Sequence, residues 1–315
     1  MKKLIVRFII FMLILFIILL ILSRILVPKN NTDESGINDM KAMKILGEAD
    51  NTVDMIVYGD SESYASIIPM QLWNDYGYTS YVCGTSGQTL PDTCRIAYDT
   101  LKNQNPKMVV LEADTVYAKT EISVPIARVL YKILPVMEYH NRWKKLNLQD
   151  FFGKIEYTDR DANKGYYYLS AIDPVEGDSY MEYSEEIEEI PEINKYYIKL
   201  LKAYCEYRGA EFAIVSVPSY KNWNYPRHNG VKQFADSEGI EFIDLNEKKD
   251  DLKIDWSKET SDKGDHVNYE GARKTTKYLG EWISSKNILE NHKEDENYNY
   301  WEEDLRIIIT TGNYY

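Results

Sequence analysis

Five short runs of β-branched and aromatic residues, each leading into a segment with helical spacing, recur along this chain of 315 residues. They are VDMIVYG at 53–59, TSYVCG at 79–84, KMVVLEAD at 107–114, EFAIVSVP at 211–218 and IEFIDL at 240–245. Helices are predicted around Ala65–Asn74 and Leu90–Asn103, then from about Ile193 to Arg208, Gly230 to Glu238 and Tyr269 to Ser284. A run that is apolar on both sides of a strand tolerates water on neither face, so helices must cover the sheet above and below. The alternation predicts an α/β fold with three layers, α/β/α, around a mainly parallel sheet. Composition allows it, because 44 % hydrophobic and 13 % aromatic residues suffice for one large core.

The N-terminus obeys a different rule. Lys2, Lys3 and Arg7 precede an uninterrupted apolar run from Phe8 to Leu22, which Ile25–Val27 extend past Ser23 and Arg24. That length approaches a membrane span. Basic residues ahead of it predict a cytoplasmic N-terminus and an extracytoplasmic body. No small-residue cleavage site follows the run, so an uncleaved anchor is predicted rather than a removed signal. The expected organisation is an anchor at 1–27, a tether at 28–50, an α/β domain at 51–288 with an insertion at about 117–191, and an acidic tail at 289–315 with no assigned element. A net charge of −13 offers no basic footprint for phosphates and argues against a nucleic-acid partner. Cys83, Cys94 and Cys205 lack metal-ligand spacing and read as small buried hydrophobes.

Chemistry is foreshadowed where the first strand ends. Gly59-Asp60-Ser61 places a serine at a strand-to-helix turn, where free backbone N–H groups and the helix dipole favour negative charge. Asp60 and Ser61 equally suit a helix cap. Among His140, His228, His266 and His292, His266 stands out. It lies in SDKGDHVNYEG after the last strand, and Asp262 and Asp265 are both near enough in sequence to orient its ring.

These segments resemble the SGNH (GDSL-like) hydrolase superfamily. Gly59-Asp60-Ser61 resembles its first block, VCGTSGQT its second, and His266-Val267-Asn268-Tyr269-Glu270-Gly271 its last. The resemblance implies Ser61 as nucleophile, His266 as general base, and Asp262 or Asp265 as orienting carboxylate. It also implies an oxyanion hole from the N–H groups of Ser61 and Gly87, with Gly84 as the alternative glycine. No metal or organic cofactor is required by such a mechanism. The third block departs, because Glu112, Ala113, Asp114 and Thr115 stand where the family usually has an asparagine. Membrane-anchored relatives of this plan include the D-alanyl transfer protein of teichoic-acid modification and proteins of surface-glycan O-acetylation. They imply a serine esterase or O-acyltransferase acting on an acylated cell-envelope glycan or teichoic-acid-like polymer, with a membrane-bound acyltransferase as a possible partner. The alternative is a catalytically inactive glycan-binding or scaffolding protein of the same fold.

Substrate contacts are expected from two further stretches, Trp223, Arg227 and His228 in one, His140 and Trp143 in the other, because aromatics interleaved with polar groups suit a sugar face or an acyl chain. The tyrosines at 166–168 read as packing, and the acidic run at 185–192 as a solvated face.

Overall fold

The computed structural model describes residues 1–120, 123–177 and 179–311. Helix α1 (Lys2–Leu26) has 25 residues, about 37 Å at 1.5 Å per residue. It is long and apolar enough to cross a membrane, and its most apolar stretch packs against nothing. A short helix α2 (Met40–Met43) precedes the first strand.

Five parallel strands form the sheet in the order β2-β1-β3-β4-β5. They are β1 (Met55–Gly59), β2 (Ser80–Gly84), β3 (Met108–Glu112), β4 (Glu211–Ser216) and β5 (Glu241–Asp244), the five predicted runs. Successive side chains point to opposite faces. Thus Ile56, Tyr58, Val109 and Leu111 enter one core, whereas Met55, Val57, Met108 and Val110 enter the other. Both faces are covered, as the unbroken apolar runs require.

Between β1 and β2 the chain forms α3 (Ser61–Ser66) and α4 (Pro69–Tyr76) rather than the single predicted helix. Pro69 disfavours helical backbone at the residue before it, and Ile68 is extended, its N–H donating to Thr276 Oγ1 instead. Helix α5 (Leu90–Thr100) follows β2. The insertion supplies α6 (Ser123–Ile133), α7 (Val136–Tyr139), a 3-10 turn at His140–Lys145 and α8 (Leu148–Phe152). It then runs without regular structure to α9 (Glu192–Tyr207).

Helix α10 (Tyr225–Glu238) begins five residues before its predicted start. Pro226 sits in the first turn and the Asn224 side chain accepts from Arg227 N–H, two start signals. After α11 (Lys249–Leu252), α12 (Tyr269–Lys286) closes the second face. The acidic tail is not unstructured: α13 (Asn299–Thr311) buries Trp301, Leu305 and Ile308, with Trp301 against Trp73. All three cysteines are free thiols, Cys83 and Cys205 buried and Cys94 half-buried.

Strand order reverses between β1 and β3, so a crevice opens beyond their carboxyl ends, the usual ligand position in such sheets. Ser61 and the Glu112–Asp114 turn both lie there.

Candidate active site

Gly59 is required by close approach. A Cβ there would lie 2.5 Å from the Cβ of Glu112 and 2.9 Å from that of Ser63. Asp60 is the helix cap: its carboxylate accepts from Glu62 N–H at 3.0 Å, its own N–H donates to Thr115 Oγ1 at 2.9 Å, and its carbonyl accepts from Ser63 Oγ at 2.7 Å. Capping falls to Asp60 and leaves the Ser61 side chain, at the first helical position, free for other partners. Its hydroxyl meets that of Tyr64, which also contacts Ser86.

The His266 loop arrives from the other end of the domain. Thr260 and Val267 form an antiparallel bridge, and Thr260 Oγ1 donates to the His266 carbonyl at 3.0 Å while accepting from Gly264 N–H at 2.8 Å. Lys263 and Gly264 both have left-handed backbone. The turn brings Asp262 back onto His266, where Oδ2 meets Nδ1 at 2.6 Å and Oδ1 accepts the His266 N–H at 2.7 Å. His266 Nε2 is buried and has no partner among the described residues.

Of the two aspartates, the structure places only Asp262 on the ring. Asp265 turns away, accepting from Lys221 Nζ at 2.8 Å and from Asn222 Nδ2 at 2.6 Å. Burial pushes its carboxyl up, but those two hydrogen bonds prevail and hold it below the usual range.

The residue after Ser61 meets this loop. A carboxylate oxygen of Glu62, one of Asp265 and a ring nitrogen of His266 lie within 4.8 Å of one another. Ser61 Oγ and His266 Nε2 nevertheless make no hydrogen bond here. These three groups have the donor chemistry for a divalent cation, yet the Asn222 amide already donates to Glu62 at 2.8 Å and to Asp265, which makes the cluster a hydrogen-bond network.

Carboxyl groups crowd the serine. Glu62 and Glu112 are buried, and burial together with the neighbouring charges raises both well above the usual range. Burial and the charge of Asp114 push Asp60 up to about 7. Burial raises Asp114 too, against the pull of Arg227.

Gly84 and Gly87 separate clearly. A Cβ on Gly84 would strike Ser63 Oγ at 2.3 Å, so that glycine serves close packing. Gly87, exposed at φ +61°, has open space around it. In the third block Thr115 is fully buried, and its hydroxyl oxygen accepts from Asp60 N–H.

The expected substrate contacts fare worse. Trp223 is buried and donates from Nε1 to Asp244 at 2.8 Å, and His228 Nδ1 meets the same carboxylate oxygen at 2.7 Å. Both knit α10 to β5, which corrects their assignment to a substrate surface. Arg227 is engaged by Asp114, Glu188 and the Asn222 carbonyl. His140 and Trp143 lie in the 3-10 turn of the insertion that packs near α1.

Several residues at the site carried no sequence signal strong enough to single them out. Tyr64 stands one helical turn from Ser61, a spacing that could have revealed it. Asn222 sits in a stretch noted only for its aromatics and bases. Tyr167, whose ring packs 5.8 Å from that of Tyr64, belongs to a tyrosine run read as packing.

No protein-family model matches the sequence, and no curated protein matches it. Among solved structures, the chain is similar to a psychrotrophic esterase from Pseudoalteromonas sp., with 11 % identity and a TM-score of 0.41 over 74 % of this chain and 98 % of that one. It is similar also to a GDSL-like lipase from Bacteroides thetaiotaomicron VPI-5482, at 12 % identity and a TM-score of 0.42 over 79 % and 98 % of the two chains. A lipase/acylhydrolase from Enterococcus faecalis gives 10 % identity and a TM-score of 0.41 over 76 % and 98 %. At that distance the chemistry rests on the geometry of the site alone.

Proposed function

We propose that the chain is a membrane-anchored, extracytoplasmic serine esterase or O-acyltransferase acting on acyl esters of a cell-envelope polymer. One observation carries the reaction: His266 has Nδ1 fixed by Asp262 and Nε2 buried without a partner, beside a helix that starts at Ser61. A neutral imidazole so held is a ready base. Ser61 Oγ passes its proton to Nε2 and attacks the ester carbonyl. Asp262 stabilises the imidazolium, which then protonates the departing alcohol. Backbone N–H groups of Ser61 and Gly87 receive the oxyanion. An acyl-serine remains, and either water or a polymer hydroxyl takes the acyl group, aided by the same histidine. Anchor and polymer substrate follow from α1 and from the resemblance to membrane-bound relatives of this plan.

A fluorophosphonate probe tests the reading. Covalent labelling is expected in the wild type and absent in Ser61→Ala and in His266→Ala. One feature favours the second reading, a non-catalytic glycan-binding protein: Ser61 and His266 make no hydrogen bond in this structure. An unlabelled wild type with the fold intact would establish that second reading.

A further inference from the structure

The insertion meets the N-terminal helix at α6–α8. Helix α1 packs against α7, α8 and the 3-10 turn between them. The seam is specific. Ser23 Oγ, buried near the end of α1, accepts from Val136 N–H at 3.1 Å, and the buried Arg142 donates to the Leu26 carbonyl, to the Ser35 carbonyl at 2.6 Å and to Asp150 at 2.8 Å. The collar formed by 123–155 is therefore fixed at the end of α1 where the chain leaves its apolar stretch.

Its outer side chains are unusual for a water-facing surface. Leu148 and Phe152 are 79 % and 85 % exposed, Trp143 is 64 % exposed, and Ile133, Met137 and Ile155 are also exposed. So many large apolar side chains left exposed within one short segment mark an interaction site. Charge separates this surface from the rest of the molecule. Residues 123–155 hold six basic residues and two acidic ones, a balance of +4 in a chain of −13. Lys132, Lys144, Lys145 and Lys154 are all exposed among the apolar groups. Aromatic and apolar groups mixed with lysines are the pattern of segments lying in a bilayer interface.

We infer that α6–α8 form a collar seated in the headgroup and upper acyl region of the membrane that α1 spans, with the lysines on anionic lipid headgroups. The inference rests on the anchor reading above, and commits to lipid as occupant. Continuity is the reason: any surface fixed to the emerging end of a spanning helix lies at the level of the headgroups, and this one is apolar and basic there. The body is thereby held at a fixed height and tilt rather than swinging on residues 28–50.

Spin labels on the full chain in vesicles of phosphatidylcholine and phosphatidylglycerol test this, in a Cys94→Ser background because Cys83 and Cys205 are buried. Leu148→Cys and Phe152→Cys report the collar, Leu13→Cys the anchor, and Glu238→Cys the distal body. The ratio of oxygen to nickel-chelate collisions should be severalfold higher at 148 and 152 than at 238, and higher still at 13. A lipid-like value at 13 with water-like values at 148 and 152 overturns the collar and leaves the anchor standing. A water-like value at 13 overturns both. Labels at 148 and 152 that are immobile and screened from both reagents mark a protein partner or a second copy, and also overturn the lipid assignment.

Discussion

Between Asp262 and His266 the chain turns on two left-handed residues, Lys263 at φ +59° and Gly264 at φ +83°. Gly264 tolerates this freely, but Lys263 is held there at a cost of order 1 kcal/mol, offset by the bonds of Thr260 and Asp262 to the loop. The outcome is an aspartate four residues before the histidine on Nδ1, and the adjacent Asp265 facing Lys221 and Asn222. Asp262→Asn keeps the oxygen that accepts His266 N–H but destabilises the required tautomer. It should lower kcat/KM on a p-nitrophenyl ester by about three to four orders of magnitude at unchanged melting temperature. Asp265→Asn should cost about tenfold or less; comparable losses in both variants would refute the division of roles. Asp60 gives a second prediction. Its carboxyl sits at about 7 against an ordinary 3.8, so between those values the unfolded chain loses this proton while the native state keeps it. The proton favours the fold below pH 4, and stability falls as pH rises toward 7, by on the order of 3–4 kcal/mol from this group. Asp60→Asn preserves the cap and should flatten the decline in urea stability between pH 5 and 8. A decline as steep as that of the wild type would assign it to Glu62 and Glu112 instead.

At the scale of elements, sequence and structure agree where periodicity decides and part where tertiary partners do. Four strands were legible as apolar runs buried on both faces, and the half-buried edge strand β5 from its β-branched and aromatic residues. The break between α3 and α4 was written in Pro69 but masked by continuous helical spacing on either side. The Asp262–His266 pairing could be narrowed to two aspartates by spacing, and only the left-handed turn at Lys263 distinguishes them. Trp223 and His228 misled for a reason of chemistry: an indole and an imidazole suit a sugar, but they equally satisfy one buried carboxylate, Asp244. The irregular part of the insertion has no periodicity at all, yet it closes the open edge of β2. Lys164 O accepts from Val82 N–H at 2.9 Å, and a Cβ on Gly165 would lie 1.9 Å from the Val82 carbonyl. Such covering removes an unpaired edge that would otherwise template aggregation. Lys164 Nζ, fully buried, bonds Glu48 at 2.8 Å and Asp304 of α13 at 2.6 Å. Lys164→Met leaves two buried carboxylates without their cation and should cost about 3–5 kcal/mol in denaturant stability at pH 7. The loss should shrink at pH 4 as Glu48, whose carboxyl burial holds above the usual range, takes up a proton. A loss below about 1 kcal/mol, the worth of a surface pair, would show that the triad is open to solvent.

Across the whole molecule, the crevice at the sheet's carboxyl ends and the collar at the end of α1 are joined through one packed body. Arg142 is the clasp between anchor and body. It is 7 % exposed and spends its guanidinium on Leu26 and Ser35 carbonyls and on Asp150, three groups from three separate segments. Arg142→Met removes all of these donors, and leaves Asp150 buried without its charge partner, a change that costs several kcal/mol locally. The sheet and the His266 loop share no bond with Arg142, so the damage should stay at the joint. Limited proteolysis of the full chain in vesicles should then cut within 27–39 at least tenfold faster than in the wild type, because local opening at a cost of ~1.4 kcal/mol already raises the open population that much. Fluorophosphonate labelling of Ser61 should persist in the same samples. An unaltered cleavage rate would mean that Ser23 and the apolar seam hold the joint without Arg142, and cleavage spreading into 51–288 would mean that the joint and the catalytic body unfold as one unit.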